Sequence, residues 1–207
     1  MHGRLSPGDT KTLGRLALCV LAGLWMLSHP APPAPAPPAP VAGYASGTAS
    51  APDAAPALPA SRPARVAIPT LDIDAPVTAV GLDDEGWMRA PDSSDPGLAG
   101  WFTGSVTPGE RGTSVIDGHV DTTRGPAVFH RLGAVETGAR VTVTREDAST
   151  ARFTVYRVES VPRETFPADR VYGDTGQPEL RLITCGGTYS KSHGYTDNVI
   201  VYAYLDR

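Results

Sequence analysis

Between residues 64 and 207 the apolar positions come in short runs separated by turn-forming residues. The runs are RVAIPTL (65–71), PVTAVGL (76–82), AGWFT (99–103), TSVIDGH (113–119), ARVTVTR (139–145), ARFTVYRVESV (151–161), ELRLITC (179–185) and NVIVYAYL (198–205). Several alternate strictly, with Val141 and Val143, or Phe153 and Val155, two apart, the spacing that puts side chains on one face of a strand. Only AVFHRL (127–132) and DRVY (169–172) offer helical spacing, and both are short. About eight strands with short helical turns predict an all-β barrel or sandwich of some 144 residues, long enough for one core.

The pattern is absent upstream. Residues 30–63 hold 11 of the 21 prolines and almost no bulky apolar side chains. Such a stretch cannot bury enough surface to offset its ordering entropy, so a disordered, partly polyproline-II spacer is expected. In residues 1–29, Arg4, Lys11 and Arg15 precede the apolar run Leu16 to Leu27, a positive-then-apolar order that predicts an export signal. Its apolar run is shorter than the roughly 20 residues of a comfortable membrane span. The long spacer favours an uncleaved N-terminal membrane anchor over a cleaved signal peptide, because a tether needs one end held. The expected organisation is anchor 1–29, spacer 30–63 and an extracellular domain 64–207, with a cleaved, secreted form as the alternative.

Charge and cysteine usage narrow the chemistry. A formal net charge of −4 with no basic cluster argues against nucleic-acid binding. The two cysteines are Cys19, an apolar thiol in the signal segment, and Cys185, so a disulfide scaffold and a cysteine zinc site are excluded. A lone thiol in an exported domain is unusual. Cys185 ends an apolar strand and is followed by Gly186 and Gly187, which are expected to open a loop and leave backbone amides available. That makes Cys185 a candidate nucleophile. A small core hydrophobe explains the cysteine alone but not the glycines. Of five histidines, His119 is the best proton partner. His2 and His29 lie in or beside the export segment, His130 lies in an expected helical turn, and His193 lies in a loop after Cys185.

The segments GHVD, GPAVFHRL, VYGDTGQPELRLITCGG and YTDNVIVYA resemble the sortase family, most of all its class F branch, over about Arg65 to Leu205. The resemblance implies a closed eight-stranded β-barrel and a membrane-anchored cysteine transpeptidase. It implies cleavage of LPxTG-like C-terminal sorting signals on secreted proteins through a thioester. An amine of a cell-wall precursor or another protein then takes the acyl group. It also implies His119 and Cys185 as catalytic residues, together with an arginine in the loop or strand after the cysteine. Here the pattern fails, since no arginine lies between Cys185 and Arg207. His193 stands where class F sequences often carry it, Asn198 where other branches do, and Lys191 is a third possibility. His193 is the favoured oxyanion donor, with the Gly186–Gly187 amides beside it. Arg124, Arg163 and Arg181 are the arginines that could act from elsewhere.

Three other readings stay open. Asp117, His119 and Asp121 alternate, and with His193 could form a two-His-one-carboxylate iron site, although this leaves Cys185 and the tether unexplained. A wall L,D-transpeptidase also uses Cys and His, but in an SHGC-type context absent here. A non-catalytic cell-surface β-barrel binding module is the third. The residues imply no metal or organic cofactor.

Overall fold

The computed structural model describes residues 36–38 and 55–207. The expected export segment, Cys19 and most of the spacer lie outside the described residues. Ten strands follow one another: β1 (Pro63–Ile68), β2 (Ile73–Val80), β3 (Ala99–Phe102), β4 (Gly112–Gly118), β5 (Asp121–Thr122), β6 (Gly125–Pro126), β7 (Arg140–Arg145), β8 (Thr150–Pro162), β9 (Pro178–Ser190) and β10 (Gly194–Leu205). Eight of them close into a barrel in the order β1-β2-β3-β4-β9-β10-β8-β7, while β5 and β6 form a separate two-stranded ribbon. The expected eight-stranded closed barrel is the observed fold. Closure leaves the barrel itself without an edge strand.

Two pairings are parallel, β2 with β3 and β4 with β9. The second decides where the chemistry sits, because parallel neighbours end at the same rim. Inside the barrel, Ile116 of β4, Leu180 and Leu182 of β9, and Val199, Val201 and Ala203 of β10 join one core. Residues of opposite parity (Val115, Ile183, Ile200 and Tyr202) belong to a second core on the outer face. Val171 of a short helix, α1 (Ala168–Tyr172), and Phe166 before it cover that face. Burial on both faces is why these strands read as continuous apolar runs.

Register lines up the outward positions in rows. Val115, Arg181, Tyr202 and Arg157 form one, and Asp117, Ile183, Ile200 and Glu159 the next. Arg181 and Glu159 find partners within the face. Arg181 Nη1 donates to Glu179 Oε2 at 2.7 Å and its guanidinium stacks 4.5 Å from the Tyr202 ring centroid. Glu159 accepts from Arg170 of α1 at 2.6 Å and from the Tyr202 hydroxyl at 2.5 Å. The Arg170–Glu159 contact clasps α1, and with it the β8–β9 connection, to the barrel.

Three local expectations change. Residues 127–131 form turns that lead into a single 3-10 turn, Leu132–Ala134, and not a helix. One turn does not repay helix nucleation, and Val135 leaves it in extended geometry. The strand ending at Cys185 continues as β9 to Ser190, so Gly186 lies in the ladder opposite Asp197 and does not open a loop. Pairing of the two long strands satisfies backbone groups that a loop would leave to water. Finally, residues 55–62, the end of the proline-rich stretch, lie against the barrel. Leu58 N–H donates to the Gly109 carbonyl at 2.8 Å, and the buried Arg145 guanidinium donates to the Pro59 carbonyl. Leu58 also packs against the main core.

Candidate functional site at the rim of the parallel strand pair

The β4–β9 register runs to Asp117 opposite Ile183. Two residues further along each strand stand His119 and Cys185. His119 stands just past the end of β4 and Cys185 within β9, so the parallel pairing brings both to the same rim of the barrel. Thr184 Oγ1 donates to the Gly118 carbonyl at 2.8 Å, tying together the residues that precede the pair. On its other side Cys185 pairs with Asn198 of β10. The next residues leave the regular ladder, with Gly187 and Thr188 facing Thr196 alone between the flanking pairs. Gly187 has φ +74°, and a Cβ there would stand 2.3 Å from Thr196 Oγ1. Only glycine fits this bulge, a device that re-aims a strand beside a site.

His119 is half-buried, and its Nε2 lies 2.8 Å from the Pro91 carbonyl. A carbonyl only accepts, so Nε2 carries the hydrogen and Nδ1 is left to exchange protons. Pro91 belongs to the β2–β3 connection, whose run of Pro, Asp, Ser and Gly reads in sequence only as a loop. Nothing in it signals that its carbonyl orients a histidine across the barrel rim. Tyr195 was likewise hidden. Its hydroxyl donates to Asp121 Oδ2 at 2.5 Å, joining β10 to β5 just past His119.

Cys185 is exposed and unpaired. Desolvation against the rim pushes its thiol pKa up, the Arg163 charge pulls it back down, and Asp121 and Asp117 add to the rise. A thiol beside an imidazole can pass its proton across one strand gap and attack an acyl carbon. Below the pair, Asp117 is buried and its Oδ1 has no partner among the described residues. Burial pushes its pKa up from 3.8 to about 7. Between those values the folded state holds a proton that the unfolded chain has released, so stability falls as pH rises from about 4 to about 7. Asp117→Asn should narrow the difference in urea-unfolding free energy between pH 5 and pH 8 by on the order of 2–3 kcal/mol. An unchanged difference excludes Asp117 as its source.

The other candidates are scattered. His193 is exposed in the β9–β10 turn, with Nδ1 hydrogen-bonded to Ser192 Oγ at 2.8 Å, and Lys191 sits in the same turn. Register therefore places Asn198, and not His193, beside Cys185. Arg181 is two rows away from the rim, enclosed by Glu179 and Tyr202. Arg124 donates to the Ser94 carbonyl at 2.8 Å. Arg163 begins the 3-10 turn that follows β8. The iron-site residues do not converge. Asp117 points into the packed outer face, Asp121 accepts from Tyr195, and no group of three His, Cys, Asp or Glu residues among those described is placed to hold a metal ion.

Comparison with known proteins agrees with this architecture. Among solved structures, a lid mutant of sortase A from Corynebacterium diphtheriae superposes with a TM-score of 0.53 at 23% identity, covering 72% of this chain and 73% of that one. Sortase A from Listeria monocytogenes gives 0.52 at 19%, covering 72% and 89%. Sortase C2 of Group B Streptococcus pilus island 1 gives 0.51 at 21%, covering 69% and 73%. At these identities the likeness is one of fold. No curated protein sequence matches the chain. The family model for the sortase domain, however, matches residues 66–206, from β1 through the end of β10. The closed barrel and the rim that carries a lone thiol are thus those of a chain that belongs to the sortase family, the cysteine transpeptidases.

Proposed function

We propose that this chain cleaves an LPxTG-like sorting signal through a thioester on Cys185 and transfers the acyl group to an amine. The observation that carries this reading is the placement of Cys185 and His119 at the shared end of two parallel strands, tied by the Thr184–Gly118 hydrogen bond. The Cys185 sulfur attacks the Thr carbonyl of the signal, and the bond from that carbon to the following glycine nitrogen breaks. His119 protonates the departing amine, and its Nδ1 is the nitrogen free to do so. An amine from a wall precursor or another protein then attacks the thioester, passing its proton back as the sulfur leaves. Splitting the exchange into two acyl transfers replaces one hard amide step with two easier ones. The proposal extends to the class F branch and to an N-terminal membrane anchor in residues 1–29, with the following stretch as its tether.

The charge state sets the pace. At the ordinary values of about 8.5 for cysteine and 6.5 for histidine, only about 1% of molecules hold thiolate and imidazolium together at pH 7. A raised thiol pKa lowers that fraction further, so turnover is slow and its pH profile bell-shaped. Incubation with a panel of sorting-signal peptides, read as a mass shift on Cys185, tests the reading. One signal gives a thioester adduct and transfer to an added amine. The absence of any adduct refutes it and favours a non-catalytic surface module, and a flat rate from pH 5 to pH 10 refutes the Cys185–His119 pairing as its engine.

A further inference from the structure

The end of the barrel remote from Cys185 carries a cavity that acyl transfer at the rim does not use. β9 starts there, and its run from Pro178 to Cys185 spans roughly 23 Å. β4 starts beside it, since Gly112 pairs with Pro178, and β10 finishes beside it, since Tyr204 pairs with Glu179. The cavity holds about 760 Å³, and three arginines from distant parts of the chain line it. Arg111 precedes β4, Arg152 lies in β8, and Arg207 follows β10. The Asp206 N–H donates to the Arg152 carbonyl at 2.8 Å, which holds the end of β10 against β8.

All three arginines are exposed, and none makes an ion pair among the described residues. The one acidic side chain lining the cavity, Asp206, is engaged elsewhere. Its Oδ1 accepts from Thr154 Oγ1 at 2.5 Å, and its Oδ2 lies 3.9 Å from Arg140 Nε. The fold thus gathers unpaired guanidiniums around one cavity in a chain of net charge −4 whose sequence shows no basic cluster. An anion relieves their mutual repulsion, and a guanidinium fork grips two phosphate oxygens at once. The rest of the wall is largely apolar, with Leu205, Pro178 and residues 55–58. Those last residues are where the chain joins the barrel. Ala55 N–H donates to the Leu205 carbonyl at 3.3 Å, and Leu58 packs against the main core.

We propose that this cavity binds the phosphodiester headgroup of an anionic membrane lipid. Arg111 and Arg152 hold the phosphate, and the apolar wall takes the glycerol and first acyl carbons. The proposal rests on the reading of residues 1–29 as a membrane anchor, because the tether leads from that bilayer to this end of the barrel. The cavity volume suits a group of that size. Docked there, the barrel presents the Cys185 rim away from the bilayer.

The test reconstitutes the full chain in vesicles of phosphatidylcholine, alone or in equal mixture with phosphatidylglycerol. Phenylglyoxal then modifies the arginines, and mass spectrometry reads the rate at each. Arg111 and Arg152 react about tenfold or more slowly in the anionic vesicles, while Arg62 reacts equally in both. Arg111→Gln removes the protection of Arg152, with an unchanged melting temperature and unchanged acylation of Cys185 by a sorting-signal peptide. Equal rates at Arg111 and Arg152 in the two vesicles overturn the proposal. So does protection of Arg152 that survives Arg111→Gln. Inorganic phosphate added to phosphatidylcholine vesicles leaves both arginines reactive, and protection equal to that of the anionic lipid overturns the lipid assignment. If the chain does not sediment with phosphatidylcholine vesicles, the anchor reading is what fails. Sedimentation with the anionic vesicles, lost in Arg111→Gln with Arg152→Gln, then still supports the site, and its absence in the parent overturns it.

Discussion

Cys185→Ala is expected to abolish both cleavage and transfer, lowering turnover by about 10⁴-fold or more. The size follows from the division of labour at the rim. Without the sulfur there is no covalent acyl carrier, and no other thiol stands among the described residues. His119→Ala should cost a comparable factor, and the double variant little more than either single one, because groups that act as a unit fail as a unit. Neither change should weaken the fold much. Cys185 is exposed, so its truncation opens no core cavity, and urea unfolding should stay within about 0.5 kcal/mol of the parent. Peptide cleavage and amine transfer followed by mass spectrometry check the first part. Retained transfer in Cys185→Ala overturns the mechanism.

The largest expected effect on stability lies elsewhere on the same face. Glu179 and Arg181 are paired at 2.7 Å with side-chain exposures of only 5% and 2%. Arg181 Nε already lacks a partner among the described residues. Glu179→Ala removes the compensating charge and leaves a buried guanidinium, which costs about 3–5 kcal/mol. It also strips the Tyr156 hydroxyl of the carboxylate it donates to at 2.8 Å. Glu179→Leu with Arg181→Met removes both charges and should recover most of the loss, since a packed apolar pair of similar volume replaces a desolvated ion pair. Equilibrium unfolding in urea distinguishes these. A Glu179→Ala protein as stable as the parent would mean that water reaches Arg181.

The buried pair also bears on which arginine can serve the thiol. Arg181 stands two rows from Cys185 and is committed to Glu179 and Tyr202. The polar residues of the outer face therefore divide into one set that holds the sheet and α1 together and another that stands at the rim.

The alternation of Val141 with Val143 and of Phe153 with Val155 made the barrel strands legible, because a two-residue period encodes which face is buried whatever the partner strand. The lone Cys185 and the GH at His119 were legible as chemistry because both interrupt apolar strands. Three features were not legible, and each depends on what lies across the sheet. The reach of β9 past Gly186 depended on β10 pairing with it through a bulge. The orientation of His119 depended on a carbonyl from a loop 28 residues away in sequence. The same is true of the cation near Cys185. Counting back from Tyr195 pointed to His193, which stands in the β9–β10 turn. Antiparallel pairing instead brings the start of β10 level with the end of β8, with Val161 opposite Asn198 and Arg163 two residues further on. Local sequence carries the period of each strand. The order in which strands close a barrel is set by packing between distant segments, and that order decides which side chains meet at the rim.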